Sequence, residues 1–421
     1  MLARRRRLTR RERAIVRPQR LTVSRTIAAL ADAARRWKDA DFPPRVRATR
    51  ALIARTGYTE PVVDYALDAL FGEIEAGALG AAIAGELGSL EALERFVARS
   101  GRPDVRYAGV ASVVIIASDT TIGVALPALA FALCAGAHVT VKDRDDLLVA
   151  AFAETLAEEW PELGARIVAS AWDAGDAAGR AALRAADTVV AFGRDDTLAA
   201  IRAELRPDAR FVGFGHRTSV AYVAREFLAT ERDARAAAHA AAREVLLYDG
   251  DGCLSPHALF VERGGAVTPR AFALELARAC DEVAVEFPAG YAELDPAAAA
   301  YRRAALFRAS QGTGELFSGV TAPHLIAFDP PADEPPPLLR RTAGVYPVDG
   351  PDEALGFLRR HALPLEALAF AGEPRADLAA LAVASGAARI APLGRLQQPP
   401  LAGEHGGIGR ILPFVRAIYR G

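Results

Sequence analysis

The sequence predicts an α/β protein built on parallel sheets, and three observations carry that reading. From about residue 111 to 223, short apolar runs alternate with helix-like stretches, the pattern of βαβ units. Ser112-Val113-Val114-Ile115-Ile116-Ala117 is a continuous apolar run, as expected of a strand covered on both faces. Strand-like and helix-like stretches resume after residue 245, and 421 residues suffice for two or three domains.

Residues 1–23 form a basic tail, with Arg4-Arg5-Arg6-Arg7 and further arginines to Arg20. It lacks the apolar core of a secretory signal. It reads as a frayed, solvated tail, with an arm docking on an acidic partner as the alternative. Residues from about 24 to 100 read as helices. Ser24 is placed to cap a helix through Trp37, with Ile27, Leu30 and Ala34 on one face. Pro43-Pro44 and Gly57-Tyr58-Thr59 separate it from two more.

The alternating section gives strands at 112–117, 138–142, 166–169, 188–192 and 210–213, with helices over 124–135, 146–160 and 195–205 among them. Ligands of such sheets bind beyond the carboxyl ends of the strands. That gathers Ser118-Asp119-Thr120, Lys142-Asp143 and Gly193-Arg194-Asp195 at one rim. A long Ala-rich helix over 226–245 leads to the second section. There the sequence predicts helices near 269–283, 296–309 and 352–361 and strands at 345–348 and 368–371, with a Pro-rich loop at 329–337. The division expected is a tail to 23, helices plus a first α/β domain over 24–245, and a second α/β domain over 246–390. A C-terminal segment over 391–421 returns toward the active site.

Composition narrows the function classes. No run approaches eighteen apolar residues, so no membrane span is expected. A net charge of -1 argues against general nucleic-acid binding. Cys134, Cys253 and Cys280 make no disulfide framework and fit a reducing cytoplasm.

The chemistry points to Cys253. It stands in Asp249-Gly250-Asp251-Gly252-Cys253-Leu254-Ser255-Pro256-His257, a polar, Gly-rich turn followed by an apolar strand-like run. Glycines let the backbone approach a substrate without a Cβ in the way. A thiol so placed is a candidate covalent nucleophile; the alternative is a small buried apolar residue. His257 lies four residues past Cys253, on the same face of a strand, and His216 precedes the second section. Either could act as an acid or lower the thiol's pKa as imidazolium, or be a strand-surface or core-edge histidine. No GxGxxG follows the first strand. Gly193 and Arg194 open a helix, and helix N-termini bind phosphate; an ordinary cap with dipole-favoured acids is the alternative.

The ordered set of motifs resembles the aldehyde dehydrogenase superfamily, and within it the acyl-CoA reductases of the bioluminescence fatty-acid reductase type. The motifs are Ala135-Gly136-Ala137-His138-Val139-Thr140-Val141-Lys142, Ala186-Asp187-Thr188-Val189-Val190-Ala191-Phe192-Gly193, and Phe214-Gly215-His216-Arg217-Thr218-Ser219. Gly252-Cys253-Leu254-Ser255-Pro256-His257 follows, and the C-terminal Pro392-Leu393-Gly394-Arg395-Leu396-Gln397-Gln398-Pro399-Pro400-Leu401 with His405-Gly406-Gly407 completes the set. The resemblance runs from about residue 100 to the end.

It implies an aldehyde dehydrogenase-like fold of two α/β domains, cofactor-binding and catalytic, with a helical N-terminal region. It implies NADPH-dependent reduction of an acyl-CoA to an aldehyde through an acyl-thioester on Cys253, with NADH as the other possible donor. The alternatives are an aldehyde dehydrogenase, CoA-acylating or hydrolytic, and a degenerate non-catalytic subunit. Lys142 would meet the adenosine ribose or a 2′-phosphate, unless it is a solvated strand-end lysine. The Cys253 N–H and a group at Asp119 would hold the oxyanion, although a carboxylate donates only when protonated. Hydrolytic members carry a Glu base where Gly213 stands, and 211–219 holds no acid, which favours a reductase. A homo-oligomer and an acyl-transferring synthetase partner are further implications.

Overall fold

The computed structural model describes residues 21–118, 121–143, 148–173, 175–291, 295–318, 323–372 and 375–421. Asp119 lies outside the described residues. The chain opens with helices α1 (Val23–Trp37), α2 (Pro43–Thr56), α3 (Glu60–Glu73) and α4 (Ala76–Leu87). The cap of α1 is Thr22 rather than Ser24: Thr22 Oγ1 accepts from Arg25 N at 3.3 Å, satisfying an amide that has no partner inside the helix. Trp37 ends α1 fully buried among Phe42, Phe71 and Phe152, and its Nε1–H donates to Thr155 Oγ1 at 3.1 Å. A buried indole needs that partner, because an unmet N–H costs about 1–3 kcal/mol.

Among the described residues the strands form three sheets. Strands β1 (Val97–Arg99) and β2 (Arg102–Gly109) make a small antiparallel hairpin. Next comes the alternating series: β3 (Ser112–Ile116), α5 (Ala125–Cys134), β4 (His138–Lys142), α6 (Leu148–Glu159), α7 (Pro161–Gly164), β5 (Ile167–Ser170), α8 (Ala177–Ala185), β6 (Thr188–Phe192), α9 (Asp195–Ala203) and β7 (Arg210–Phe214). Its five strands pair in parallel in the order β5-β4-β3-β6-β7. The order reverses at β3 and β6, which opens a crevice at their carboxyl ends.

The second sheet takes β8 (Thr218–Val223), α10 (Glu231–Leu246), β9 (Pro256–Glu262), α11 (Pro269–Glu286), α12 (Pro296–Ser310), β10 (Glu315–Leu316), β11 (Leu325–Phe328), β12 (Thr342–Val348), α13 (Pro351–Arg360), β13 (Leu365–Ala371), α14 (Ala376–Ser385) and β14 (Arg389–Pro392). Its order is β10-β11-β12-β9-β8-β13-β14, with only the β10–β11 pair antiparallel among the described strands. The last strand, β15 (Val415–Arg420), returns to pair antiparallel with β2.

The chain passes from one large sheet to the other between Phe214 and Thr218, earlier than the division at 245 suggested by the sequence. This short link sets the carboxyl end of β7 against the amino end of β8. The carboxyl rim of the first sheet therefore meets the edge at which the strands of the second sheet begin. The helix expected over 226–245 starts at Glu231, where Thr230 Oγ1 accepts from Asp233 N at 3.1 Å.

Candidate active site

A strained turn delivers Cys253. After α10 the chain reverses through Tyr248 (φ 53°), Asp249 (φ 52°) and Gly250 (φ 77°). Left-handed backbone at a non-glycine residue costs on the order of 1–3 kcal/mol, so the turn needs anchors. Arg341 supplies them from the start of β12. Its N–H donates to Asp249 O at 2.9 Å, and its Nε donates to Asp249 Oδ1 at 2.6 Å. Both residues are buried, and Arg341 Nη2 also donates to Phe287 O at 2.8 Å. A Cβ at Gly250 would stand 2.9 Å from Arg341 N, so this position needs glycine both for its φ and for its size.

Beyond the turn, Ser219 Oγ donates to Cys253 O at 2.8 Å, and Ser255 N donates to Gly252 O at 2.9 Å. Gln397 Nε2 donates to Ser255 Oγ at 3.1 Å and to Glu244 O at 3.3 Å. Leu396 N in turn donates to Glu244 Oε1 at 2.6 Å. Burial pushes the Glu244 carboxyl up to about 8, against the pull of backbone amides around Leu396.

Two β-bulges flank Ser219. On one side Ser219 pairs with Pro256 and Val220 with Ala258, which leaves His257 as the extra residue of β9. On the other, Thr218 pairs with Leu365 and Ser219 with Ala367, which leaves Glu366 as the extra residue of β13. A bulge bends the strand and re-aims its side chain. His257 turns into the protein: its ring Nδ1 lies 3.2 Å from Thr342 O, and burial lowers its pKa. His216 is exposed on the link before β8, near enough for its charge to act on His257.

Glu366 is held from two sides. Arg217 Nε lies 3.8 Å from its Oε2, and the Gly406 N–H hydrogen-bonds to the carboxylate. Desolvation nevertheless raises its pKa, with Arg217, Arg389 and Arg410 opposing the rise. Cys253 is partly exposed, yet its thiol is pushed up to about 12, first by burial and then by the charge of Glu366, with Arg217 pulling down. At neutral pH the resting thiol is therefore protonated.

The C-terminal segment closes over this arrangement. His405 stacks on Phe214 at 4.1 Å and 18°, and Phe214 stacks on Phe192 at 4.9 Å. Burial, then Arg410, pushes His405 down to about 3. The next residue, Gly406, reaches Glu366. One short stretch thus touches both large sheets.

At the rim of the first sheet, Ser118 follows β3 and Gly193 follows β6, on either side of the crevice. Lys142 ends β4, with its Nζ 5.8 Å from the centre of the Trp172 ring. Among the described residues, a Cβ at Gly193 would meet only Thr197, at 3.7 Å. Arg194 is turned to the surface, where it pairs with Asp196 at 3.0 Å, and Asp196 also accepts from Thr197 N at 2.7 Å.

The fold thus sets Cys253 at the amino end of β9, turns His257 away from it onto Thr342 O, leaves His216 exposed on the link, and spaces Ser118, Lys142, Gly193 and Arg194 along the other sheet's rim. Sequence reasoning carried Arg217, Ser219 and Gln397 inside motifs without giving them a part around Cys253, and did not single out Glu366. Glu366 did leave a signal, a lone acid in the apolar stretch Leu365-Glu366-Ala367-Leu368-Ala369-Phe370. A cavity of about 650 Å³ lined by Arg263, Asp329, Tyr346 and Arg360 lies at the opposite, carboxyl edge of the second sheet, away from Cys253.

The architecture is that of the aldehyde dehydrogenases. An oxidoreductase from Marinobacter aquaeolei superposes with a TM-score of 0.71 at 14% identity, covering 94% of this chain and 86% of that one. An NAD-dependent benzaldehyde dehydrogenase from Corynebacterium glutamicum gives 0.67 at 15%, covering 95% and 86%. The glyceraldehyde-3-phosphate dehydrogenase GapN from Methanocaldococcus jannaschii, complexed with NADP, gives 0.67 at 12%, covering 95% and 89%. No curated protein sequence matches closely enough to show a relationship. The family model for acyl-CoA reductase (LuxC) matches residues 19–417, and the chain belongs to that family. It is an aldehyde-forming oxidoreductase acting on acyl substrates. Among the described residues no helix is long and apolar enough to cross a membrane.

Proposed function

We propose that this protein reduces acyl-CoA thioesters to aldehydes with NADPH, through an acyl-thioester on Cys253. The observation that carries the reading is the position of Cys253. Its turn is pinned by Arg341, its carbonyl by Ser219, and it lies where the ligand rim of one sheet meets the amino edge of the other. In this reading Cys253 attacks the acyl carbonyl and the CoA sulfur departs. Lys142, Ser118 and Gly193 would hold a reduced nicotinamide along the rim, and that group would supply the hydride needed to bring the acyl group to the aldehyde level. Collapse of the resulting thiohemiacetal frees the aldehyde and restores Cys253. The Cys253 N–H serves as an oxyanion donor, and removing one such donor typically costs about 10²–10³ in rate. The stacked Phe192, Phe214 and His405 wall the passage between cofactor and thiol and exclude water from it.

The test is NADPH consumption with a panel of acyl-CoAs, short, long and aromatic, in wild type and Cys253→Ala, repeated with NADH. Turnover lost in the variant is the expected result; turnover retained would reject Cys253. A homo-oligomer and an acyl-donating synthetase partner belong to the same proposal, and size determination with and without a candidate partner tests them.

A further inference from the structure

The acyl-transfer step has a proton problem that the pinned turn alone does not solve. Cys253 rests as a thiol, and only the thiolate attacks a thioester. The departing CoA sulfur then needs a proton. A group able to do both jobs must sit beside Cys253, be able to bind and release a proton in that environment, and be fixed by its surroundings.

We propose that Glu366, lifted out of register by the bulge in β13, is the proton acceptor and donor of acyl transfer at Cys253. The inference rests on the acyl-CoA reading above and deepens it. Geometry brings it to Glu366. The bulge lies directly opposite Thr218 and Ser219, and the Ser219 hydroxyl is bonded to the carbonyl of Cys253 itself. An acid near the start of a buried strand, as Glu366 is in β13, is costly unless it has partners. Here Arg217 Nε at 3.8 Å and the Gly406 N–H hold the carboxylate, and its side chain keeps 10% exposure. Arg217 belongs to the link that joins the two sheets and Gly406 to the C-terminal segment, so three separate parts of the chain converge on one carboxyl group. The charged or titratable groups acting on it are Arg217, Arg389 and Arg410, while Glu366 and Arg217 are those acting on the Cys253 thiol.

The step balances without any added reagent. The Glu366 carboxylate takes the S–H proton of Cys253 as the sulfur bonds to the acyl carbon. The tetrahedral oxyanion collapses, the bond from carbon to the CoA sulfur breaks, and Glu366 returns the same proton to that sulfur. An acyl-CoA and a thiol become an acyl-Cys253 and free CoA, with no net change in protonation. Burial raises the Glu366 pKa, the direction that favours a carboxyl group able to hold a proton briefly.

The test measures this half-reaction without nicotinamide, as free CoA released and as acyl mass on the Cys253 peptide, in wild type, Glu366→Gln, Glu366→Asp and Cys253→Ala. Iodoacetamide alkylation of Cys253 is measured across pH alongside. Removing a negative charge beside the thiol makes it easier to ionise, so Glu366→Gln should be alkylated faster than wild type at a given pH. Its acyl transfer should nonetheless slow about 100-fold or more, the usual range of general acid–base catalysis. It should also lose the pH limb that belongs to the carboxyl, with Glu366→Asp restoring part of both. These opposite movements separate proton transfer from support of the fold. Acyl transfer and alkylation falling together, or transfer at the wild-type rate, would overturn the role of Glu366. Wild type that forms no acyl-enzyme from any acyl-CoA, or Cys253→Ala that still does, would overturn the acyl-CoA reading and this inference with it. Wild type that acylates while Glu366→Gln does so equally would overturn this inference alone.

Discussion

Arg341 and Asp249 are joined twice, once through the main chain at 2.9 Å and once through their side chains at 2.6 Å. The pair clamps the left-handed turn from which Cys253 follows four residues later. Removing one partner strands the other charge in the interior, which typically costs about 3–5 kcal/mol. Asp249→Ala is therefore expected to lower the denaturant midpoint strongly. Asp249→Asn, which keeps an acceptor for Arg341, should lose less. Equal losses would assign the effect to the backbone turn rather than to the ion pair.

Ser219 fixes the carbonyl of Cys253 through a single hydroxyl. Ser219→Ala removes that donor and little volume. The expected loss of stability is about 0.5–1.5 kcal/mol, with acyl transfer slowed more than thermal stability suggests, because the thiol loses a positional constraint. Urea unfolding combined with free-CoA release checks the prediction; acyl transfer at the wild-type rate would contradict it.

Arg217 draws the Cys253 thiol toward ionisation, against burial and Glu366. Arg217→Gln should thus slow alkylation of Cys253 at any pH below about 12, the opposite of the change expected on removing Glu366. The ratio of alkylation rates between pH 8 and pH 10, read on the Cys253 peptide by mass spectrometry, is the measurement.

Glu244 makes stability depend on pH with a definite sign. Its pKa rises from 4.5 to about 8 on folding, so the native state binds more protons than the unfolded chain between those values. Stability from this residue is fully present below about 4.5 and falls as pH climbs toward 8. Glu244→Gln should flatten that slope, with its thermal midpoint gaining on wild type at pH 8 and converging with it near pH 5. Thermal unfolding at the two pH values decides the matter.

The parallel sheets were legible because strands covered on both faces read as continuous apolar runs, as in Ser112–Ile116 and Thr188–Phe192. The Gly-rich turn before Cys253 was legible as a turn, but the reason for glycine at 250, its left-handed φ and the nearness of Arg341 N, was not, because Arg341 lies far along the chain. β15 was not legible either, since its partner β2 lies more than three hundred residues away and no local pattern encodes that pairing. Thr22 and Ser24 compete as caps by one turn position, which composition does not resolve. Glu366 stood out only as a lone acid in an apolar stretch, and where its side chain goes was not legible: a one-residue slip in strand register, set by neighbours on β8, decides it. The same slip on β9 turned His257 onto the carbonyl of Thr342, where four-residue spacing had left it beside the thiol.

Three residues, Gly215, His216 and Arg217, are all that part the last strand of the first sheet from β8. Cα atoms lie about 3.8 Å apart along the chain, so the tether from Phe214 to Thr218 spans at most about 15 Å. If the two halves swing apart to exchange spent cofactor, they must do so like covers about a spine. Arg217 sits on that spine. Its hold on Glu366 and its pull on the thiol are therefore the interactions least disturbed by such a motion, while the Lys142 end of the rim, three strands from β7, travels further. In the proposed cycle, acyl chemistry would then fall to the still part of such a hinge and nucleotide exchange to the moving part.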